Sequence, residues 1–118
     1  MRFSLPAHKR LRSKPEFDSV FESRNKFYGD HFLVYYRYNG CSHSRIGLIV
    51  AKRNVRLAVE RNRVRRLLKE HFRQQPPALR STDVVFIAKK GINTIENKEL
   101  SQCIQILLKR IQQRSSNV

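Results

Sequence analysis

The sequence predicts an α/β fold of the α+β kind, a two-layer sandwich in which helices cover one small sheet in the order α-β-β-α-β-α. Three observations predict it. Segments 31–38, 45–52 and 83–89 are rich in β-branched and aromatic residues, as strands are. Segments 14–23, 57–74 and 97–113 instead repeat apolar residues at helical spacing. The chain has 118 residues, 40% of them hydrophobic, and no internal repeat. One domain spanning 1–118 can therefore close a core without disulfides or metal.

Each element has its own local cause. Residues 1–10 read as irregular and flexible, and 114–118 as a tail. Ser13-Lys-Pro-Glu16 is a capping box with proline in the first turn, so a helix is expected from Lys14 to Ser23. Phe17, Val20 and Phe21 then share one of its faces. Residues 24–30 are expected as a turn or loop around Gly29. In the strand from His31 to Tyr38, Phe32, Val34, Tyr36 and Tyr38 point one way, and His31, Leu33, Tyr35 and Arg37 the other. Asn39-Gly-Cys-Ser-His43 reads as a hairpin connection into a second strand, Arg45 to Lys52. A basic helix follows from Leu57 to Gln74, ended by Pro76-Pro77. Asp83 to Lys89 is the third strand, and Gly91 opens a loop. The last helix, Asn97 to Gln113, aligns Leu100, Cys103, Ile104, Leu107, Leu108 and Ile111 on one stripe.

Charge narrows the function. Lys and Arg number 25 against 9 Asp and Glu, giving a net charge of +16 and a sequence pI near 11.0. The cations run from Arg2 to Arg114, so the folded body itself is basic. Self-repulsion on this scale favours a polyanionic partner, of which nucleic acid is the commonest. No apolar run approaches a membrane span and no signal-peptide core follows Met1, so neither a membrane nor export is expected and the cytoplasm is the expected compartment.

The basic helix concentrates that charge. On a wheel of 3.6 residues per turn, Val64, Leu67, Leu68 and Phe72 form one apolar stripe. Asn62, Arg66, Lys69 and Arg73 lie together on the opposite face, and Arg61 and Arg65 flank the stripe. Arg63 projects about 100° away from Asn62, so these residues do not all reach one phosphate. Arginine forks match phosphate geometry, and asparagine both donates and accepts. Lys52 and Arg53 extend the positive surface just before the helix.

Other chemistries fit poorly. Cys41 and Cys103 are too far apart for a zinc spacing and read as one loop thiol and one core thiol. Asp18, Asp30 and Asp83 stand alone, and His8, His31, His43 and His71 are scattered, so no local acid/base or metal cluster marks a nuclease. His71, between Leu68 and Phe72, reads as a boundary residue. No helix-turn-helix spacing or heptad suggests DNA.

Arg45-Ile-Gly-Leu-Ile-Val-Ala-Lys-Arg53, followed by Ala58-Val-Glu-Arg-Asn-Arg-Val-Arg-Arg-Leu67, resembles the signature of the bacterial ribonuclease P protein subunit. Lys14-Pro-Glu-Phe-Asp-Ser-Val-Phe21 and Phe86-Ile-Ala-Lys-Lys-Gly91 add to the likeness, which covers about residues 8–112. The resemblance implies a small mixed sheet with a left-handed βαβ crossover, against the right-handed rule for such connections. It implies a protein subunit that is not itself the catalyst. Its partners would be a catalytic RNA, which uses Mg²⁺ to remove the 5′ leader, and precursor tRNA. No cofactor is expected on the protein alone.

Carried over position by position, the resemblance implies RNA contacts at Arg61, Asn62, Arg63, Arg65 and Arg66. Arg65 stands where many family members have lysine. Lys69 and Arg73 share the outer face, and Lys52 and Arg53 lie beside it. A cleft for the single-stranded leader would use Phe17, Phe21 and Tyr35, whose rings suit unstacked bases. A Phe pair at i, i+4 also suits a core, and Tyr36 and Tyr38 compete with Tyr35 from the other strand face. The alternative reading is a structural or ribosomal-type RNA-binding protein with no part in cleavage.

Overall fold

A computed structural model describes residues 10–40, 44–74 and 81–116. In chain order the elements are α1 (Lys14–Glu22), β1 (Lys26–Tyr28), β2 (Phe32–Tyr38), β3 (Arg45–Ile49), α2 (Ala58–Arg73), β4 (Thr82–Ala88) and α3 (Asn97–Ser116), with one 3-10 turn at Ile92–Thr94. The expected order is present, with one added strand. Segment 24–30, expected as a loop, holds β1, which turns at Gly29 and pairs antiparallel with β2.

The sheet runs β1-β2-β4-β3. β4 is antiparallel to β2 and parallel to β3, so the sheet is mixed and residues 45–88 form a βαβ crossover. The hairpin expected at 39–43 is therefore corrected: β2 and β3 are not neighbours, because β4 lies between them. The cause is burial. Every β4 residue except Ile87 is buried, and a strand covered on both faces belongs in the middle. Positions 41–43 themselves, with Cys41 and His43, lie outside the described residues, as do His8 and Pro76-Pro77.

Alternation along the strands divides the apolar residues between two faces. Phe32, Val34, Val84, Phe86 and Ile46 meet Val64, Leu68 and Phe72 of α2 and the Leu100–Ile111 stripe of α3. Cys103 is buried in that stripe. On the other face Val85 packs with Leu11 and Val20, and Phe17, Phe21, Tyr35, Ile49 and Ile87 close around them. α1 thus lies across the face opposite α2 and α3.

The capping box predicted for α1 is formed. Ser13 Oγ accepts from the Glu16 N–H at 3.4 Å, and Glu16 Oε1 accepts from the N–H groups of Ser13 and Arg12 at 2.9 and 2.8 Å. The Arg12 amide, then the Ser13 amide, hold the Glu16 carboxyl below its ordinary pKa. α1 is also tied to the sheet. Arg45 donates to both oxygens of the fully buried Asp83 carboxylate, Nε to Oδ1 at 2.9 Å and Nη2 to Oδ2 at 2.7 Å, and its Nη1 reaches Glu16 Oε2 at 3.0 Å. Asn39 Nδ2 adds a bond to Asp83 Oδ1 at 2.7 Å.

Candidate nucleic-acid interface

Leu57 stands at the N-cap of α2 and offers no side-chain hydrogen bond to the helix. The preceding loop is held by Arg61 instead, whose Nη1 donates to the carbonyls of Val55 and Arg56 at 3.0 and 2.7 Å. Asn54 fixes the same loop to the sheet through Ala88 O at 3.1 Å. Arg63 points toward α3: Nε pairs with Glu60 at 3.0 Å, Nη1 bonds Asn97 Oδ1, and Nη2 reaches Asn93 O at 3.4 Å. Both arginines of the Arg-Asn-Arg motif thus hold protein groups, while Asn62 between them is exposed.

The rest of the helix divides as its wheel requires. Val64, Leu68 and Phe72 are buried, and Leu67 packs at the margin of the same core. Arg66 and Arg73 are exposed, and so are Lys52 and Arg53 in the turn before the helix. His71 is half-buried at the boundary, and loss of solvent pushes its pKa below the ordinary histidine value.

Arg65 and Lys69 do something the wheel alone does not show. One turn apart and half-buried, they line a cleft of about 220 Å³ with Phe17, Ile46, Leu48 and the segment Arg10-Leu11-Arg12. The cleft exists because β3 is an edge strand whose free side is only partly covered. Leu11 N–H donates to Ile46 O at 2.8 Å, and Arg10 bridges Ile46 as a short parallel partner. Beyond that bridge, α1 and α2 stand on either side of the strand edge.

The aromatic residues continue from this cleft across the sheet. Phe17 lies against Gly47 of β3, where a Cβ would fall 2.5 Å from the ring. Phe21, one turn further along α1, meets Tyr35 of β2 edge to face, with ring centroids 5.0 Å apart. All three side chains are half-buried, packed against the cluster of Leu11, Val20 and Val85. Tyr36 and Tyr38 alternate to the opposite side of β2, and Tyr36 stacks on Phe27 there. Among the described residues no group of three or more His, Cys, Asp and Glu side chains comes together. Asp18 is paired with Lys14, and Asp83 with Arg45.

The family model for ribonuclease P matches residues 5–112. The chain belongs to the ribonuclease P protein family. It is 45% identical over 112 residues to the ribonuclease P protein component of Coxiella burnetii, covering 92% of this chain and 93% of that one. To the Pseudomonas paraeruginosa protein component it is 46% identical over 104 residues, covering 87% and 77%. Its fold is similar to the RNase P protein of Staphylococcus aureus, with a TM-score of 0.80 at 22% identity over 86% of this chain and 94% of that one. For the Thermotoga maritima RNase P protein the TM-score is 0.75 at 27% identity, over 86% and 96%. As a ribonuclease P protein component, the chain is part of a tRNA-processing endoribonuclease.

Two features of this surface have little sequence signal. Arg10 and Arg12 stand in or next to a stretch that reads as irregular, yet both line the cleft. Lys26 and Tyr28 fall in the expected loop, yet they lie on β1 beside Tyr35. The alternation Lys26-Phe27-Tyr28 before Gly29-Asp30 was the available signal, too short to stand on its own.

Proposed function

We propose that this protein binds the catalytic RNA of ribonuclease P through α2 and holds the single-stranded 5′ leader of precursor tRNA in the aromatic cleft. In this role it assists a cleavage that the RNA performs with Mg²⁺ in the bacterial cytoplasm. The observation that carries the reading is the shared cleft of Arg65, Lys69 and Phe17. Cations for a phosphate and a ring for a base meet there, as single-strand recognition requires. The outer face of Asn62, Arg66 and Arg73, with Lys52 and Arg53, remains for a second polyanion contact. The two surfaces lie on either side of one helix, so a protein gripping RNA with one presents the leader cleft at a fixed angle with the other. Its contribution is position and local charge.

The test is reconstitution with a bacterial ribonuclease P RNA and cleavage of precursor tRNA at low Mg²⁺. The protein should raise the rate over RNA alone, and more for substrates with a leader than for those lacking one. No gain over RNA alone overturns the reading, as does cleavage by the protein alone.

A further inference from the structure

We infer that Lys26 and Tyr28 of β1 form a distal extension of the leader cleft, a subsite for one further unstacked nucleotide beyond Tyr35. The inference rests on the leader reading above and concerns residues outside it. β1 is the edge strand farthest from β3 and α2. Its register sets Lys26 opposite Tyr35 and Tyr28 opposite Leu33, so both side chains stand on the face that α1 covers only in part. Phe27 between them turns the other way, stacks on Tyr36 and carries Arg110 over its ring.

The geometry is that of a continued lane. Phe17 sits over β3, Phe21 and Tyr35 over β2, and Tyr28 beyond them on β1. The lane therefore crosses the sheet from the α2 side to the opposite edge. The Lys26 ammonium lies 5.7 Å from the Tyr35 ring centroid and 5.5 Å from that of Tyr28. It stands between the two tyrosine side chains, where the phosphate linking two stacked bases would pass. Hydrogen bonding to Tyr28 pushes its pKa above the ordinary lysine value, so the charge is present at any working pH. Tyr28 is 64% exposed and joins neither hydrophobic cluster, unlike Phe21 and Tyr35. One exposed tyrosine is unremarkable by itself. One placed next to a lysine shared with the last ring of a stacking row has a surface to offer and a phosphate contact beside it.

The experiment uses holoenzyme reconstituted with a bacterial ribonuclease P RNA and precursor tRNAs whose leaders are lengthened one nucleotide at a time. Affinity is measured for wild type, Tyr28→Ala, Tyr28→Phe and Phe21→Ala. Tyr28→Ala should match wild type on short leaders and lose about fivefold or more once the leader reaches β1. Tyr28→Phe should keep the affinity, because the ring is what stacks. Phe21→Ala should begin to lose at a shorter leader. A Tyr28→Ala curve that follows wild type at every length, or falls equally on a leaderless substrate, overturns the extension. If Phe21→Ala responds to leader length and Tyr28→Ala does not, the extension alone fails. If neither responds, the leader reading fails with it.

Discussion

Gly47 gives the sharpest test of where the aromatic cleft sits. Its φ is not in the left-handed region, so alanine meets no backbone strain there, and in a strand interior alanine is ordinarily better than glycine by roughly 0.5–1 kcal/mol. Here the added Cβ would fall 2.5 Å from Phe17 Cε1, 2.7 Å from Cζ and 3.3 Å from Leu11 Cβ. Carbon atoms rest at about 3.5–4.0 Å, so the ring must move by about 1 Å or more. Leu11 closes one direction, which leaves displacement toward the cleft. Overpacking of this kind costs about 1–3 kcal/mol, partly offset by the strand preference, and the fold should survive. The stacking surface should not. Loss of one base stack, about 1–3 kcal/mol, corresponds to a roughly 5- to 150-fold weaker grip on the leader. Gly47→Ala should thus impair substrates with leaders, spare leaderless ones, and unfold cooperatively. A double-mutant cycle decides the cause: in a Phe17→Ala background the ring is gone, and Gly47→Ala should have little further effect on leader affinity. Additive losses would refute the reasoning, as would equal losses on both substrates.

Other expectations follow from the same contacts. Arg45→Met leaves the buried Asp83 carboxylate without its bidentate partner and should cost about 3–5 kcal/mol in urea unfolding; a loss under about 1 kcal/mol would mean that Asn39 and Arg37 suffice. Arg66→Ala should flatten the salt dependence of RNA binding by roughly one unit with the unfolding midpoint unchanged, whereas Arg63→Ala should lower the midpoint by freeing α2 from Asn97 and Asn93; the reverse pattern would reassign both side chains. Stability should fall with acid in two windows. His71 is held below its ordinary 6.5, so its contribution is complete above that pH and is lost as the pH drops through its lowered folded value. Glu16, held below 4.5, adds a second loss at lower pH. Midpoints measured from pH 8 to 3 check both, and His71→Gln should remove the first window alone.

Most of the helical layout was legible because its causes are local. Ser13 and Glu16 cap each other within four residues, and the stripe of Val64, Leu68 and Phe72 repeats at the period of the helix. Strand pairing was less legible, since a hairpin signal at Asn39-Gly40 says nothing about a strand that arrives some forty residues later and takes the central place. Alternation did sort Tyr35 from Tyr36 correctly, placing one over α1's face and the other against the main core. The site residues divide in the same way. That Phe17 and Phe21 share a face is a matter of spacing. That Phe17 rests over Gly47 and shares a cleft with Lys69 depends on how α1 crosses the sheet, and therefore on Arg45 and Asp83, which are 38 residues apart. No short-range pattern marks such a pair.

The six cations of α2 illustrate why charge density alone does not delimit a binding face. Arg61 gives a guanidinium nitrogen to two carbonyls, and Arg63 is engaged by a carboxylate, an amide oxygen and a carbonyl. Lysine would serve poorly at Arg63, since one ammonium cannot span the three partners that its Nε, Nη1 and Nη2 reach separately. These two arginines shape the loop before the helix and its seat on α3. Arg65 and Lys69 turn to the cleft with Phe17, while Arg66 and Arg73 face outward beside Asn62. Substitution at the first pair should act through the fold and lower binding of leader and RNA together. At the second pair the effect should depend on the leader, and at the third on salt. A single phenotype for all six would mean that the helix acts as an undivided patch of charge, and the separate contacts described for its side chains would then have no functional meaning.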